Sequence, residues 1–233
     1  MSSLHQQHAH EWPPGTFLGG LSQDAFRELL TRAAPRSFDP GERLLLQGDR
    51  SEHVLILLSG TAKVTAFAPN GDEVLLRIAR PGNAIGAISA LDHHPRSASV
   101  ISLERSITVR LTGPTFTDYL ARHPEASRAL LVEVTKNLRD SDRIRLNRSS
   151  APLENRMARM LAILAADFGH LTEDGSVIIS VSLTQQELAS LIGASRESVA
   201  RALRLLRDND VIETRYRHIV IRNKDYLYHL AGN

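Results

Sequence analysis

Arg196, Glu197 and Arg201 are side chains whose chemistry suits the edges of DNA bases. An arginine donates in a pair to O6 and N7 of guanine, and a glutamate accepts from N4 of cytosine. Residues 194–207 contain four arginines and one glutamate, a local excess of +3 in a chain whose net charge is only +2. Such a cluster on a nearly neutral chain predicts a surface that binds nucleic acid.

Two short predicted helices position these side chains. Thr184 and Glu187 have the spacing of a capping box at the start of the first helix. Gly193 permits a sharp turn, and Ser195 can cap the second helix. The apolar residues recur every three or four positions, which predicts one buried face on each helix: Leu188, Leu191 and Ile192 on the first, and Val199, Ala202, Leu203 and Leu206 on the second. This pattern predicts a helix-turn-helix whose second helix enters the major groove of DNA.

Composition excludes several other classes of protein. The chain has 233 residues, 42% hydrophobic and 23% charged, which is typical of a globular protein of about two domains. It has no cysteine, which excludes disulfides and thiolate-bound clusters. No apolar run approaches the roughly 20 residues of a membrane-spanning helix, and the N-terminus lacks the order of a signal peptide, so we expect a cytoplasmic protein. The sequence has no P-loop, nucleophile elbow or zinc signature, and we expect neither an enzyme nor a metal site.

The N-terminal half has the texture of an all-β domain. Residues 1–15 lack periodicity and predict a mobile tail. An amphipathic helix is predicted from Ser22 to about Ala34, with Phe26, Leu29 and Leu30 inward. Turn residues then recur about every ten positions as far as Leu111, and Asn70-Gly71 is a strong hairpin pattern. This spacing predicts a closed barrel or jelly roll.

The C-terminal half is predicted to be mainly helical. A long helix is expected from Pro124 to about Arg148, with Leu131, Val134 and Leu138 at the spacing of a two-stranded seam. Ser141 and Arg145 continue this seam with polar residues, where either water or a ligand would enter. The remaining elements predict a hinge and a winged helix-turn-helix: a break at Ser149–Pro152, a helix at Leu153–Phe168 with Met157, Met160, Leu161 and Leu164 apolar, a strand at Val177–Val181, and a hairpin of Val211–Thr214 with His218–Ile221.

In this order of elements the chain resembles the CRP/FNR superfamily of bacterial transcription regulators, that of the cyclic AMP receptor protein, from about Leu18 to Ile221. Residues 192–201 resemble the family's recognition helix, and Pro81-Gly82, Ile85-Gly86 and Pro95–Ala98 resemble its phosphate-binding cassette. The resemblance implies an α+β fold in four parts: a tail (1–15), a cyclic-nucleotide-binding-type β-roll or jelly roll (16–123), a dimerisation helix (124–149) and a winged helix-turn-helix domain (150–233).

The resemblance also implies the partners. A homodimer is expected to bind double-stranded DNA at an inverted repeat of TGTGA-like half-sites, with centres ~34 Å apart. RNA polymerase is a further expected partner. The expected DNA contacts are Thr184, Gln186, Ser195, Arg196, Glu197 and Arg201.

A small anionic effector, such as a cyclic nucleotide, is expected in the β-roll at Gly86, Ala87, Arg96 and Ser97, with Ser141 and Asp142 added from the long helix. Family members that bind cyclic AMP carry a glutamate where this chain has Ala87, and a methyl group cannot accept the ribose hydroxyl. Cyclic AMP is therefore disfavoured, and another nucleotide, an unrelated anion or no ligand at all remain open. The alternative from another class is a ligand-binding regulatory module that does not bind DNA.

Overall fold

The computed structural model describes residues 12–69, 71–215 and 218–232, with side chains from 143 to 150 not described. The chain forms two compact units. The first contains the residues up to Phe67 and Arg77–Arg139, and the second contains Ala68–Leu76 and the residues from Asp140 onward. The division thus falls inside the long helix, about ten residues before the predicted hinge.

Two four-stranded sheets form the β-roll that the turn spacing predicted. The strands are β1 Ala34–Phe38, β2 Arg43–Leu45, β3 Val54–Ser59, β4 Ala62–Phe67, β5 Glu73–Ala79, β6 Ala84–Ile85, β7 Ser99–Ser102 and β8 Ser106–Leu111. The sheets have the orders β1-β8-β3-β6 and β2-β7-β4-β5. Strand β3 is buried on both faces, because Leu55 and Leu57 pack into one hydrophobic cluster while Val54 and Ile56 pack into another.

Four helices accompany this roll: α1 Gln23–Thr31, α2 Ala87–Asp92, α3 Gly113–Arg122 and α4 Pro124–Ser150. The predicted extent of α1 to Ala34 was wrong, because Ala34 begins β1 and pairs with Arg110 of β8. Phe26 and Leu29 are buried as predicted, whereas Leu30 is only half-buried.

The segment from Trp12 to Gly20, which we call the strap, is folded against the first unit. Trp12 packs edge-on against Phe26 with ring centres 5.8 Å apart, and Arg80 Nη2 donates to Pro14 O over 3.0 Å. Gly82 lies so close to Thr16 that a Cβ atom there would be 2.4 Å from Thr16 Oγ1. Residues 12–15, predicted as part of a mobile tail, thus include contacts with the first unit, and residues 1–11 of that prediction lie outside the described part of the chain.

The long helix α4 presents two different faces within the first unit. Ala126, Ala129 and Leu130 are buried in the cluster beneath the roll. On another face the predicted seam is exposed: Leu131 by 67%, Val134 by 38% and Leu138 by 59%. An apolar row this exposed is what an unpaired coiled-coil face presents.

The second unit contains α5 Leu153–Phe168, β9 Gly169–Leu171, β10 Val177–Ile179, α6 Gln185–Ile192, α7 Arg196–Asp208, β11 Ile212–Arg215, β12 His218–Ile221 and α8 Lys224–Ala231. Its sheet has the order β11-β12-β10-β9. The apolar residues predicted for α5 are buried, and the predicted hairpin is formed. The sequence patterns missed β9 and α8, and β10 ends at Ile179 rather than Val181. The helix break also comes later than predicted, since Ser149 and Ser150 are still helical. None of the described helices is long and apolar enough to cross a membrane.

Candidate nucleic-acid interface and effector corner

Local hydrogen bonds fix the two helices α6 and α7 as predicted. Thr184 Oγ1 accepts from Glu187 N over 3.1 Å, and Glu187 Oε2 accepts from Thr184 N over 2.8 Å, which completes the capping box. Gly193 ends α6 with a φ of 64°, the left-handed conformation that favours glycine. Ser195 Oγ then accepts from Ser198 N over 3.2 Å and caps α7. These caps set a sharp turn between the helices.

The predicted base-reading side chains lie on the open face of α7. Arg196, Glu197 and Arg201 are exposed, while Val199 and Ala202 beside them are buried. No ion pair joins Glu197 to Arg201 in the described structure, so the two are not held as a surface pair. The bond from the backbone N–H of Glu197 and the Ser195 hydroxyl lower the pKa of the Glu197 carboxyl, which is therefore an acceptor at neutral pH.

The other side chains predicted to contact DNA are exposed as well, but two of them already act as caps. Gln186, Thr184 and Ser195 all face solvent. The Thr184 hydroxyl also donates to Glu187 Oε2 over 3.0 Å, and the Ser195 hydroxyl donates to Ser198 Oγ over 3.1 Å. Either hydroxyl would have to rotate before it could donate to a phosphate.

Arg156 of α5 contributes a contact that sequence patterns did not predict. Its Nη1 donates to Ile192 O over 3.1 Å and to Gly193 O over 3.3 Å, at the C-terminal end of α6. A cation at this end satisfies free carbonyls and the negative pole of the helix dipole. Its Nε is buried and has no hydrogen-bond partner in the described structure. A cleft of about 370 Å³ lies beside it, lined by Leu153, Glu154, Arg156, Ala194, Ser198, Arg201, Ala202 and Leu205.

The hairpin of β11 and β12 contributes little free positive charge among its described residues. Arg215 lies in β11, and its Nε is 2.6 Å from Glu213 Oε1. Arg222 pairs with the other oxygen of Glu213 and with Asp174. Arg217 lies outside the described residues.

In the first unit, the residues of the predicted phosphate site surround one guanidinium. Arg96 is only 3% exposed and donates from Nη1 to Gly86 O and from Nη2 to His53 O, each over 2.6 Å. Its Nε donates to Ser51 Oγ over 3.2 Å. Burial lowers the pKa of Arg96, and the nearby carboxylates of Asp49 and Glu52 oppose that shift. Arg96 is therefore not an ordinary surface-loop arginine.

We call Gly86, Ala87, Arg96 and Ser97 the effector corner. Gly86 has a φ of 82°, and a Cβ atom there would meet Arg96 Nη1 at 2.6 Å, so the corner requires glycine. Ala87 begins α2 and is buried, whereas Ser97 is exposed. The structure thus brings Gly86, Ala87 and Arg96 together. Ser141 is half-buried and Asp142 exposed on the part of α4 that belongs to the second unit.

His53 lies beside this corner in a positive environment. Burial, followed by the charges of Arg110, Arg96 and Arg36, lowers the pKa of His53 to about 4. His53 is therefore neutral at pH 7. Among the described residues no group of three or more histidine, aspartate or glutamate side chains could hold a metal ion.

This fold and these sites define a class of protein: a cyclic-nucleotide-binding-type β-roll joined to a helix-turn-helix domain. Residues 35–123 match the cyclic nucleotide-binding domain, and residues 155–230 match the Crp-like helix-turn-helix domain. The chain is 31% identical over 184 residues to the CRP-like cAMP-activated global transcriptional regulator of Mycobacterium tuberculosis, covering 79% of this chain and 82% of the relative. It is 26% identical to the Cyclic AMP receptor protein of Thermus thermophilus, covering 91% of this chain and 94% of that one.

Solved structures share the fold. The c-di-GMP responsive global regulator CLP of Xanthomonas campestris superposes with a TM-score of 0.74 at 20% identity, covering 87% of this chain and all of the other. A CRP-family transcriptional regulator from Thermus thermophilus superposes with a TM-score of 0.71 at 24% identity, covering 85% of this chain and 97% of the other. The chain belongs to the family of CRP-like transcription regulators and is a DNA-binding regulator.

Proposed function

We propose that the protein acts as a homodimer in the cytoplasm, where it binds an inverted repeat of TGTGA-like half-sites and regulates transcription through RNA polymerase. Arg196, Glu197 and Arg201 read base edges, Thr184 and Ser195 contact the phosphates, and Gln186 is a further DNA contact. The observation that carries this proposal is the two-sided character of α7. Its buried face fixes the helix on the domain. Its opposite face presents three exposed side chains whose donors and acceptor complement the edges of guanine and cytosine.

The exposed seam of Leu131, Val134 and Leu138 supports the homodimer. A parallel pair of α4 helices would bury this row, and two-fold symmetry would present two copies of α7 to one inverted repeat. Relatives in this family are typically dimeric, and symmetric binding to a palindromic site needs two copies.

The proposed effector site is the effector corner in the first unit. A small anion is the effector class that Arg96 favours, because two of the five N–H groups of its guanidinium remain uncommitted. The names of the relatives include a cAMP-activated regulator and a c-di-GMP responsive one. Ala87 disfavours cyclic AMP here, so we place another nucleotide or small anion ahead of it.

A second candidate is a regulator that is competent without any ligand. The specific observation in its favour is that three bonds from Arg96 already hold the corner together. A ligand can shift the protein between two conformations only through different affinities for them. Because Arg96 already stabilises the corner, a ligand has less stabilisation to add there.

Selection of bound sequences from random double-stranded DNA tests the proposal directly. The protein should enrich an inverted repeat without added ligand if the second candidate holds, and only with an added cyclic mono- or dinucleotide or another small anion if the first holds. Enrichment of unpaired single half-sites would contradict the dimer. Failure to enrich any motif under every condition would contradict the assignment of α7.

A further inference from the structure

Glu133 is a buried acid in the middle of α4. Its side chain faces the roll and is only 2% exposed, although Leu131 and Val134 on either side of it belong to the exposed seam. An ionisable side chain is almost never fully buried without specific partners. Its surroundings therefore show what the carboxylate does.

The carboxylate of Glu133 joins three separate segments. Oε2 accepts from the backbone N–H of Phe17 in the strap over 2.7 Å. Oε1 accepts from the backbone N–H of Ala84 over 3.1 Å. Ala84 begins β6, and Gly86 and Ala87 of the effector corner follow it directly. One side chain of the dimerisation helix thus holds both the strap and the strand that leads into the corner.

Hydrogen bonding explains better than packing why a glutamate stands at this buried position. Burial raises the pKa of Glu133, while the charge of Arg77 and bonds from Asn83, Phe17 and Ala84 oppose that shift. Replacing a buried charged group with a well-packed apolar residue is often neutral or stabilising, so a leucine or methionine would fill this space at least as well. An apolar side chain would nevertheless leave two buried N–H groups without acceptors.

We infer that Glu133 is a positioning residue that couples the effector corner to the dimer seam. Its two bonds clamp the start of β6 to a rigid helix, so a displacement at Gly86 and Ala87 acts on the same turn of α4 that carries Leu131 and Val134. Conversely, pairing of two α4 helices fixes the position of β6 and with it the effector corner. The inference rests on the proposed dimeric function, and it assigns the communication between site and seam to one carboxylate.

Glu133→Gln tests this inference in the full-length protein. The glutamine has the same shape, but one of its terminal atoms becomes an N–H donor that faces another donor, so one bond is lost. Glu125→Gln is the matched control, because Glu125 lies on the same helix and also binds the segment before α1, through Ser22, but at a half-buried position. Hydrogen exchange of the Phe17 and Ala84 amides, dimer dissociation measured by sedimentation, and DNA affinity are compared.

In Glu133→Gln we expect exchange of at least one of the two amides to accelerate about tenfold, as the loss of one hydrogen bond to a charged group produces. The dimer dissociation constant should rise by a similar factor, while the Glu125→Gln protein remains like the wild type. Glu133→Asp keeps the charge on a shorter side chain, and its exchange rates and dimer dissociation constant should lie between those of Glu133→Gln and the wild type. It replaces Glu133→Gln in the comparison if the glutamine variant does not fold.

Two results would overturn the inference. Unchanged protection of both amides would show that the bonds are not formed in solution. Faster exchange together with wild-type dimerisation and DNA affinity would show that Glu133 stabilises only the structure around it. A wild-type protein that is monomeric and binds no specific DNA would instead refute the proposed function, so the two failures can be told apart.

Discussion

Arg96 Nη1 lies 2.6 Å from the carbonyl oxygen of Gly86, so the arginine that resemblance assigns to a ligand phosphate is already bound by the protein. The same guanidinium bonds to His53 O from its other terminal nitrogen. These bonds connect the start of α2 with the loop before β3. The corner therefore has an internal cation in place before any anion arrives.

Arg96→Ala should destabilise the first unit markedly. The substitution leaves the partly buried carbonyl oxygens of Gly86 and His53 without these donors, and we expect a loss of about 2–3 kcal/mol in the free energy of unfolding. Urea denaturation followed by circular dichroism measures the change. Arg43→Ala is the control, because Arg43 is an exposed arginine of the same roll. Equal stability of the two variants would contradict the clamping role of Arg96.

Arg196→Ala should cost ~1–3 kcal/mol in DNA binding and relax the preference for one guanine in each half-site. The reason is the loss of a bidentate pair with O6 and N7. Competition binding against single-base variants of the selected repeat measures both effects. Arg204→Ala, at an exposed position further along α7, should weaken binding without changing the preference. An Arg196→Ala protein with unchanged sequence preference would show that this side chain does not read a base.

Leu138→Asp should dissociate the dimer, because a carboxylate cannot be buried without a partner in an apolar seam. Sedimentation should show a folded monomer, and affinity for the inverted repeat should fall at least ~100-fold while single half-sites bind weakly. Leu171→Asp is a matched control: Leu171 is 70% exposed, comparable to the 59% of Leu138, but lies on β9. If both variants stay dimeric, the seam lies elsewhere.

Because of His53, the free energy of unfolding should decrease as the pH falls from about 6.5 to 4. The unfolded chain binds a proton at the ordinary histidine pKa, while the folded protein resists protonation until about pH 4, so unfolding is favoured across that window. After allowance for solvent screening of a partly exposed ring, we expect a loss of about 1 kcal/mol. His53→Gln should remove this part of the slope in denaturation at several pH values. The exposed His229→Gln should keep it; identical slopes for wild type and His53→Gln would exclude this origin.

Most of what could be predicted from the sequence is local. Thr184 and Glu187 are three residues apart and Ser195 precedes Ser198 by three, so their hydrogen bonds need only one helical turn. Turn residues at regular spacing predicted the roll, and helical periodicity predicted the buried faces of α5, α6 and α7. Where prediction failed, as at the end of α1, pairing with a distant strand overrode the local preference.

The sequence by itself determined the helix-turn-helix and the apolar row on α4, because repeat distances of three or four residues encode them, and its resemblance to a known family indicated the class of protein. Only the tertiary structure decided that Arg96 turns inward to Gly86, ten residues away, and that Glu133 accepts from Phe17 across 116 residues. Such contacts depend on how strands and helices converge in space, and neither residue type nor spacing along the chain specifies that convergence.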